Sequence, residues 1–330
     1  MLAQLTTLHD LAAYAPQESA DVLDVAADLG LSRSQGRLFH RVHGLDRLRQ
    51  DPDQHLFDLL CAPARTVVER VADHEDIRYL IYAHTIQQVT PAGLDPATRI
   101  AELLGLPDAE AFSLTQQGCA GGLAAVDAAG ELLRADGDPA AKALVVTGEK
   151  AFSKLARLID NTAIMGEASA ACLVGIGGGP AVVRGYAVRT DGRFSHGIRM
   201  TPQAVRDFGE SYPADLAAVI QEALAEAATD LSELTAVIPH NVNRSSWLRV
   251  IKELGVDKQL VYLDNIPRYS HCFCVDPFLN LVTLREQGRL AAGGRYLLTA
   301  VGLGATYAAM VIDMVVEPAT NEEASCQARQ

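Results

Sequence analysis

The chain has 330 residues, 49% of them apolar and 21% charged, with 41 Asp and Glu against 28 Lys and Arg and a formal net charge of −13. That balance, without a basic stripe, excludes a nucleic-acid binder, and the apolar content excludes disorder over most of the length. No run of 18 apolar residues occurs, and the start, Met1 to Leu5, lacks a basic region followed by an apolar core, so no membrane span and a cytoplasmic location are expected.

Aromatic residues are scarce, at 5%, while Ala and Leu abound, which favours helices packed on a sheet over a β-sandwich. The first basic-rich stretch, residues 37–49, reads as a solvated amphipathic helix end or as an anion-binding patch. Apolar spacing from Leu56 to Val71 predicts a helix over 53–75, followed by a buried strand over 77–83. Helices are expected over 96–104 and 122–134, and strands over 111–115, 143–147 and 168–176. Gly177-Gly-Gly-Pro180 then breaks the chain. A similar series follows. Helices are predicted over 211–228, 247–254 and 276–287, with strands over 234–238, 260–263, 296–301 and 306–315. The alternation implies an α/β layer fold.

The two series register on each other at an offset of about 150 residues, which suits two α/β halves of domain size. Tyr82-Ala-His84 corresponds to Ile238-Pro-His240, and Ala143 to Gly148 corresponds to Leu297 to Gly302. The expected division is residues 1–180, residues 181–316, and a polar, disordered tail over 317–330.

The six cysteines are scattered, and Cys272-Phe-Cys274 lacks metal-site spacing, so neither a disulfide framework nor a metal centre is expected. Gly175-Ile-Gly-Gly-Gly179 is not followed by a helix, which argues against a phosphate loop. Cys119, in Gln116-Gln-Gly-Cys-Ala-Gly-Gly122, stands where a strand turns into a helix. Glycines allow the sharp turn, and the helix N-terminus favours thiolate, as in a nucleophile elbow. The alternative is a buried Cys packed at a glycine-rich turn.

A nucleophile needs a base and an anion hole. His240, in Pro239-His-Asn-Val-Asn243, follows a strand and precedes a helix, the edge that faces the crevice in α/β sheets. His271, in Tyr269-Ser-His-Cys-Phe-Cys-Val-Asp276, is the counterpart of Cys119 in the repeat, which would bring two helix N-termini together at one site. Asp276, followed by Pro277, reads equally as a helix N-cap or as a catalytic or His-orienting carboxylate. The Val301-Gly-Leu-Gly304 turn offers small backbone positions beside the crevice, with Gly302 and Asn243 assigned to substrate binding. His40, His43, His55, His74 and His196 are expected at the surface, and His84 in the cleft.

Gly118-Cys-Ala-Gly-Gly122, Met165-Gly-Glu-Ala-Ser-Ala170, Pro239-His-Asn-Val-Asn243 and Gly302-Leu-Gly-Ala-Thr306, in this order, resemble the ketoacyl-ACP synthase III branch of the thiolase superfamily. The resemblance spans roughly residues 30 to 315. It implies a five-layer fold of two pseudo-repeated βαβαβαββ halves and a homodimer. It also implies an acylated Cys119, His240 as the motif histidine, and an oxyanion hole from the N–H groups of Cys119 and Gly304. Ser270-His271 stands where the family has Gly-Asn-Thr, and Glu167 where it has Asp. The segment through Asp276 is similar to a divergent, antibiotic-pathway subgroup of acyltransferases that use Cys, His and Asp.

The resemblance implies an acyl-Cys119 enzyme fed by acyl-CoA or acyl carrier protein, with CoA or phosphopantetheine thioester as substrate and no resident cofactor. Decarboxylative Claisen condensation to a 3-oxoacyl product is the favoured second step. Acyl transfer to a hydroxyl or amine, with His240 as base oriented by Asp276, is the alternative. A non-catalytic ketosynthase partner is the rival of another class.

Overall fold

The computed structural model describes residues 5–315. The expected tail over 317–330 lies outside them. Nine strands form the main sheet: β1 (Thr6–Tyr14), β2 (Ile77–Ala83), β3 (Glu110–Leu114), β4 (Lys142–Glu149), β5 (Ala168–Ile176), β6 (Ala181–Thr190), β7 (Ala236–Pro239), β8 (Arg295–Gly302) and β9 (Thr306–Met314). Their spatial order is β7-β8-β9-β6-β1-β5-β4-β2-β3. The sheet divides at its weakest seam, where β1 and β6 share two antiparallel pairs, Thr7 with Val182 and Leu8 with Ala181.

On either side of that seam one topology recurs. In β1 to β5 the third strand in chain order lies outermost, then the second, fourth, fifth and first. In the other half β7, β8, β9 and β6 take the matching places, with parallel and antiparallel pairings repeated. The outermost place there holds a single bridge between Val261 and Val237. The strand expected over 260–263 is therefore reduced to one residue, because a tight turn at Lys258–Leu260 occupies its start. Strands β1 and β6 escaped the sequence reading. Polar His9 and Asp10 interrupt the first, and Arg184, Gly185 and Arg189 the second.

Six longer helices complete the layers: α1 (Leu56–Val68), α2 (Pro96–Leu104), α3 (Gly121–Asp136), α4 (Pro202–Glu226), α5 (Arg244–Leu254) and α6 (Asp276–Glu286). Local chemistry sets their ends. Asp95 caps α2 ahead of Pro96, and Gly105 closes it at φ +71°. The helix expected over 53–75 is shorter, with two turns lost at its polar end, and the one expected over 211–228 starts earlier, at Thr201-Pro202.

Alternation along the strands assigns the layers. Leu80, Tyr82, Leu144 and Val146 pack on α1 and α2. Ile81, Ala83, Val145 and Ala170 face α3 and α6, which also meet Ile238, Leu298, Ala300 and Met310 of the second half. Val237, Leu297, Ala309 and Val311 pack on α4 and α5. Helices α3 and α6 thus form the middle of five layers. Every residue of α6 from Asp276 to Leu284 is buried, as a helix covered on all sides requires.

Candidate active site

Cys119 lies on a single 3₁₀ turn, Gly118–Ala120, between β3 and α3. Gly118 has φ +55°, and a Cβ there would stand 3.0 Å from Gly302 Cα. A Cβ on Gly302 would fall 2.0 Å from the Gln117 carbonyl oxygen. The β8–β9 turn therefore rests directly on the elbow, and Gly304 lies two residues further along it. Gly302, expected to bind substrate, is used for this backbone packing. A Cβ on Gly122 would lie 2.7 Å from Phe278 and 2.8 Å from the Cys274 oxygen, so the starts of α3 and α6 meet.

The Cys119 side of the site is nearly closed, at 4% exposure, with Thr85 Oγ1 3.8 Å from the sulfur. Cys272 directs its thiol to the Tyr269 carbonyl and Cys274 to that of Ala83, and burial pushes both thiols well above the ordinary range.

Asp276 is the first residue of α6, after Val275, and caps nothing with its side chain. Its Oδ1 accepts the Cys272 N–H at 2.8 Å, while Oδ2 accepts the Asn241 N–H at 2.6 Å and the His271 Nδ1–H at 2.5 Å. The cap reading is thereby corrected, because the folded-back segment before α6 brings other donors to this carboxylate. Behind it, Asn280 donates to the Pro239 carbonyl at 2.7 Å and to Asn241 at 2.9 Å.

A carboxylate only accepts, so His271 carries its proton on Nδ1 and turns Nε2 away from Asp276. Burial lowers the affinity of this imidazole for a second proton. Asp276 and then Cys119, acting by charge and hydrogen bond, outweigh burial and push it up to about 10. The Gly166 N–H fixes the backbone by donating to the His271 carbonyl at 2.9 Å. Asp276 thus holds His271, and Cys119 is among the groups that raise the proton affinity of this ring.

His240 belongs to a second pair. Its ring centroid is 5.7 Å from that of His271, and its Nε2 lies 3.2 Å from the Tyr212 hydroxyl. Trp247 Nε1 donates to its carbonyl, and its own N–H donates to the Thr299 carbonyl. Burial, then the charge of His271, hold His240 well below the ordinary histidine range. The expectation that Asp276 orients His240 is corrected: Asp276 holds His271, and Tyr212 holds His240.

Asn243, also expected at the substrate, caps α5. It accepts from the Ser246 N–H at 2.7 Å and the Ser245 hydroxyl at 2.9 Å, and donates to the Thr162 carbonyl at 3.0 Å. His43 is buried rather than exposed, between the Ser245 hydroxyl and the Asn161 carbonyl. His84 stacks on Tyr82 and contacts the Ile86 carbonyl through Nδ1. Glu167 is held by Lys150 at 2.9 Å and Arg157 at 3.2 Å, a structural ion pair.

Three contributors escaped the sequence reading: Thr85, Tyr212 and Glu149. The fully buried Glu149 carboxylate accepts the N–H groups of Thr85 and Ile86 and so holds that segment over Cys119. Burial pushes this carboxyl up to about 7 against those two donors. An acidic residue ending an otherwise apolar strand was the signal for it. Tyr212, in an ordinary amphipathic stretch, carried none. Among the described residues no helix is long and apolar enough to cross a membrane.

Residues 224–314 match the family model of the C-terminal part of 3-oxoacyl-[acyl-carrier-protein] synthase III. The chain is 26% identical over 296 residues to β-ketoacyl-[acyl-carrier-protein] synthase III 2 of Streptomyces coelicolor, covering 86% of this chain and 87% of the relative. It is 27% identical over 288 residues to the β-ketoacyl-[acyl-carrier-protein] synthase III of Sphingopyxis alaskensis, covering 79% and 85%. The fold is shared with the acyltransferase ChlB3, at a TM-score of 0.83 and 20% identity over 94% of this chain and 98% of that one. It is shared likewise with 3-oxoacyl-(acyl carrier protein) synthase III of Pseudomonas aeruginosa PAO1, at 0.78 and 20% over 95% and 100%. Along most of its length the chain is thus similar to β-ketoacyl-[acyl-carrier-protein] synthases III, and it shares their fold.

Proposed function

We propose that this protein is an acyltransferase that takes an acyl group from acyl-CoA or acyl carrier protein onto Cys119 and passes it to a hydroxyl or amine of a natural-product acceptor. The observation that carries this reading is the 2.5 Å hydrogen bond of His271 Nδ1 to Asp276, in a ring whose proton affinity Asp276 and Cys119 raise. Nucleophile, histidine and orienting carboxylate are the parts of a general-base triad.

In the first step the Cys119 thiolate attacks the thioester carbonyl. The carbon–sulfur bond of the donor breaks, and the departing thiolate takes the proton of cationic His271. The tetrahedral oxyanion is assigned to the N–H groups of Cys119 and Gly304, each worth roughly 3–4 kcal/mol in comparable sites. His271, now neutral and still bonded to Asp276, then accepts the proton of the acceptor as its oxygen or nitrogen attacks the acyl carbon, and Cys119 leaves as thiolate. CoA or phosphopantetheine enters as part of the substrate and no resident cofactor is required. ChlB3, with the same fold, is named an acyltransferase.

Decarboxylative condensation to a 3-oxoacyl product is the second reading, favoured by the neighbouring rings of His240 and His271, two donors for one enolate oxygen. The departures at Ser270-His271 and Glu167 from the housekeeping pattern support a role in specialised metabolism, in the cytoplasm. For a carrier-bound donor, residues 37–49 adjoin the α5 N-terminus, since Arg244 donates its N–H to the His43 carbonyl at 2.7 Å. On this reading the two basic stretches together serve as the docking face for an acidic carrier.

Intact-protein mass measurement with acyl-CoA tests the common step. An acyl adduct on wild type that disappears in Cys119→Ala is expected, whereas its absence on wild type would favour a non-catalytic ketosynthase partner. CO₂ released from an added malonyl thioester would select condensation over transfer.

A further inference from the structure

One turn beyond Asp276, on the same face of α6, stands a polar side chain that packing alone does not call for. Asn280 is wholly buried, as are Asn241 and Asn265 beside it. Burying three amides is costly unless each finds partners, and each does. Asn280 Nδ2 donates to the Pro239 carbonyl at 2.7 Å and to Asn241 Oδ1 at 2.9 Å. Its Oδ1 accepts from Asn265 Nδ2 at 2.9 Å and from Asn241 Nδ2 at 3.3 Å. Asn241 Nδ2 also reaches Asp276 Oδ1 at 3.4 Å.

These bonds have a fixed direction. A peptide carbonyl only accepts, so the Pro239 oxygen sets which end of the Asn280 amide carries the NH₂ group. That group then claims the oxygen of Asn241, which leaves the NH₂ of Asn241 toward Asp276. A flipped Asn241 would set its oxygen against a carboxylate oxygen. Asp276 thus meets donors on both sides: Cys272 N–H and Asn241 Nδ2 on Oδ1, Asn241 N–H and His271 Nδ1 on Oδ2.

We propose that Asn280 is a positioning residue: through Asn241 it orients the Asp276 carboxylate and keeps one oxygen directed at His271. Its effect on turnover rests on the acyl-Cys119 reading; the orientation of Asp276 does not.

Titration of His271 in the resting protein tests the orientation. The titratable groups around this ring are Asp276, Cys119, His240 and Glu149, and the substitutions leave all four in place. In ¹⁵N-histidine NMR, with the His271 signals assigned by their loss in His271→Asn, wild type should hold its second proton up to about pH 10. Asn280→Ala should lower that midpoint by about one pH unit or more, because a turned carboxylate favours the cation less. Asn241→Ala, which keeps the backbone bonds of the network, should do the same, and combining the two should add nothing. Asn265→Ala also removes buried hydrogen bonds, so it should lower the melting temperature yet leave the His271 midpoint in place. A wild-type midpoint in Asn241→Ala or in folded Asn280→Ala, or an equal fall in Asn265→Ala, would overturn the proposal. In turnover, single-turnover decay of the acyl adduct should slow about tenfold in Asn280→Ala, the scale of one lost hydrogen bond. Failure of wild type to form the Cys119 adduct would count against the acyl-enzyme reading alone and leave the titration result standing.

Discussion

Two histidines of one site differ in charge because their neighbours differ. His271 has a carboxylate at 2.5 Å, and His240 has a phenol at 3.2 Å and a cation beyond it. On the acyl-transfer reading, this separation of protonation states gives the acid–base work to His271. Asp276→Asn should therefore leave the Cys119 elbow intact yet slow transfer by about 10⁴-fold, the scale seen when a triad carboxylate becomes an amide. Single-turnover decay of the acyl adduct reads this directly, and normal decay would remove Asp276 from the mechanism. Glu149 gives a separate pH signature. Its folded carboxyl is raised from the ordinary value of 4.5 to about 7, so the folded state holds its proton longer than the unfolded chain. The stability it contributes is complete below pH 4.5 and is lost as pH rises through about 7. Urea midpoints between pH 4.5 and 8 should fall more steeply for wild type than for Glu149→Gln. Parallel profiles would contradict the buried-carboxylate assignment.

Among the elements, the segment between Tyr269 and α6 is the most strained part of the site. Ser270 takes φ +57° and Phe273 φ +56°, conformations that disfavour a Cβ, and the buried Ser270 hydroxyl has no hydrogen-bond partner among the described residues. Both features lie beside His271, and they are the local condition under which its ring reaches Asp276. Ser270→Gly should relieve the backbone and remove the unpaired hydroxyl, raising stability by about 1 kcal/mol. Thermal unfolding measures it. A lower melting temperature would show that the serine side chain makes a contact worth more than the strain. The helix N-termini are positioned by the opposite device, absence of side chain: Gly122 allows α3 to meet Phe278 of α6, and Gly302 allows the β8–β9 turn to touch the elbow.

For the whole molecule, β3 ends the sheet with a half-buried face and no strand beyond it among those described. We propose that a second copy covers this edge, giving the homodimer that the family resemblance implies. Light scattering at micromolar concentration should return twice the 35.3 kDa chain mass, and a monomer mass would contradict it. How much of this was legible beforehand follows from the range of the forces involved. Apolar period, glycine turns and helix caps act within a few residues, so the α/β series, the helix over 96–104, the strands over 77–83 and 168–176 and the elbow at Cys119 were readable from the chain alone. The nearness of the β8–β9 turn to that elbow, Asp276 bonding His271 rather than capping α6, Asn243 capping α5, and Tyr212 on His240 were decided elsewhere. A hydrogen-bond donor chooses among acceptors that packing brings near, and residues such as Tyr212 and His240 become neighbours only when α4 closes over the sheet.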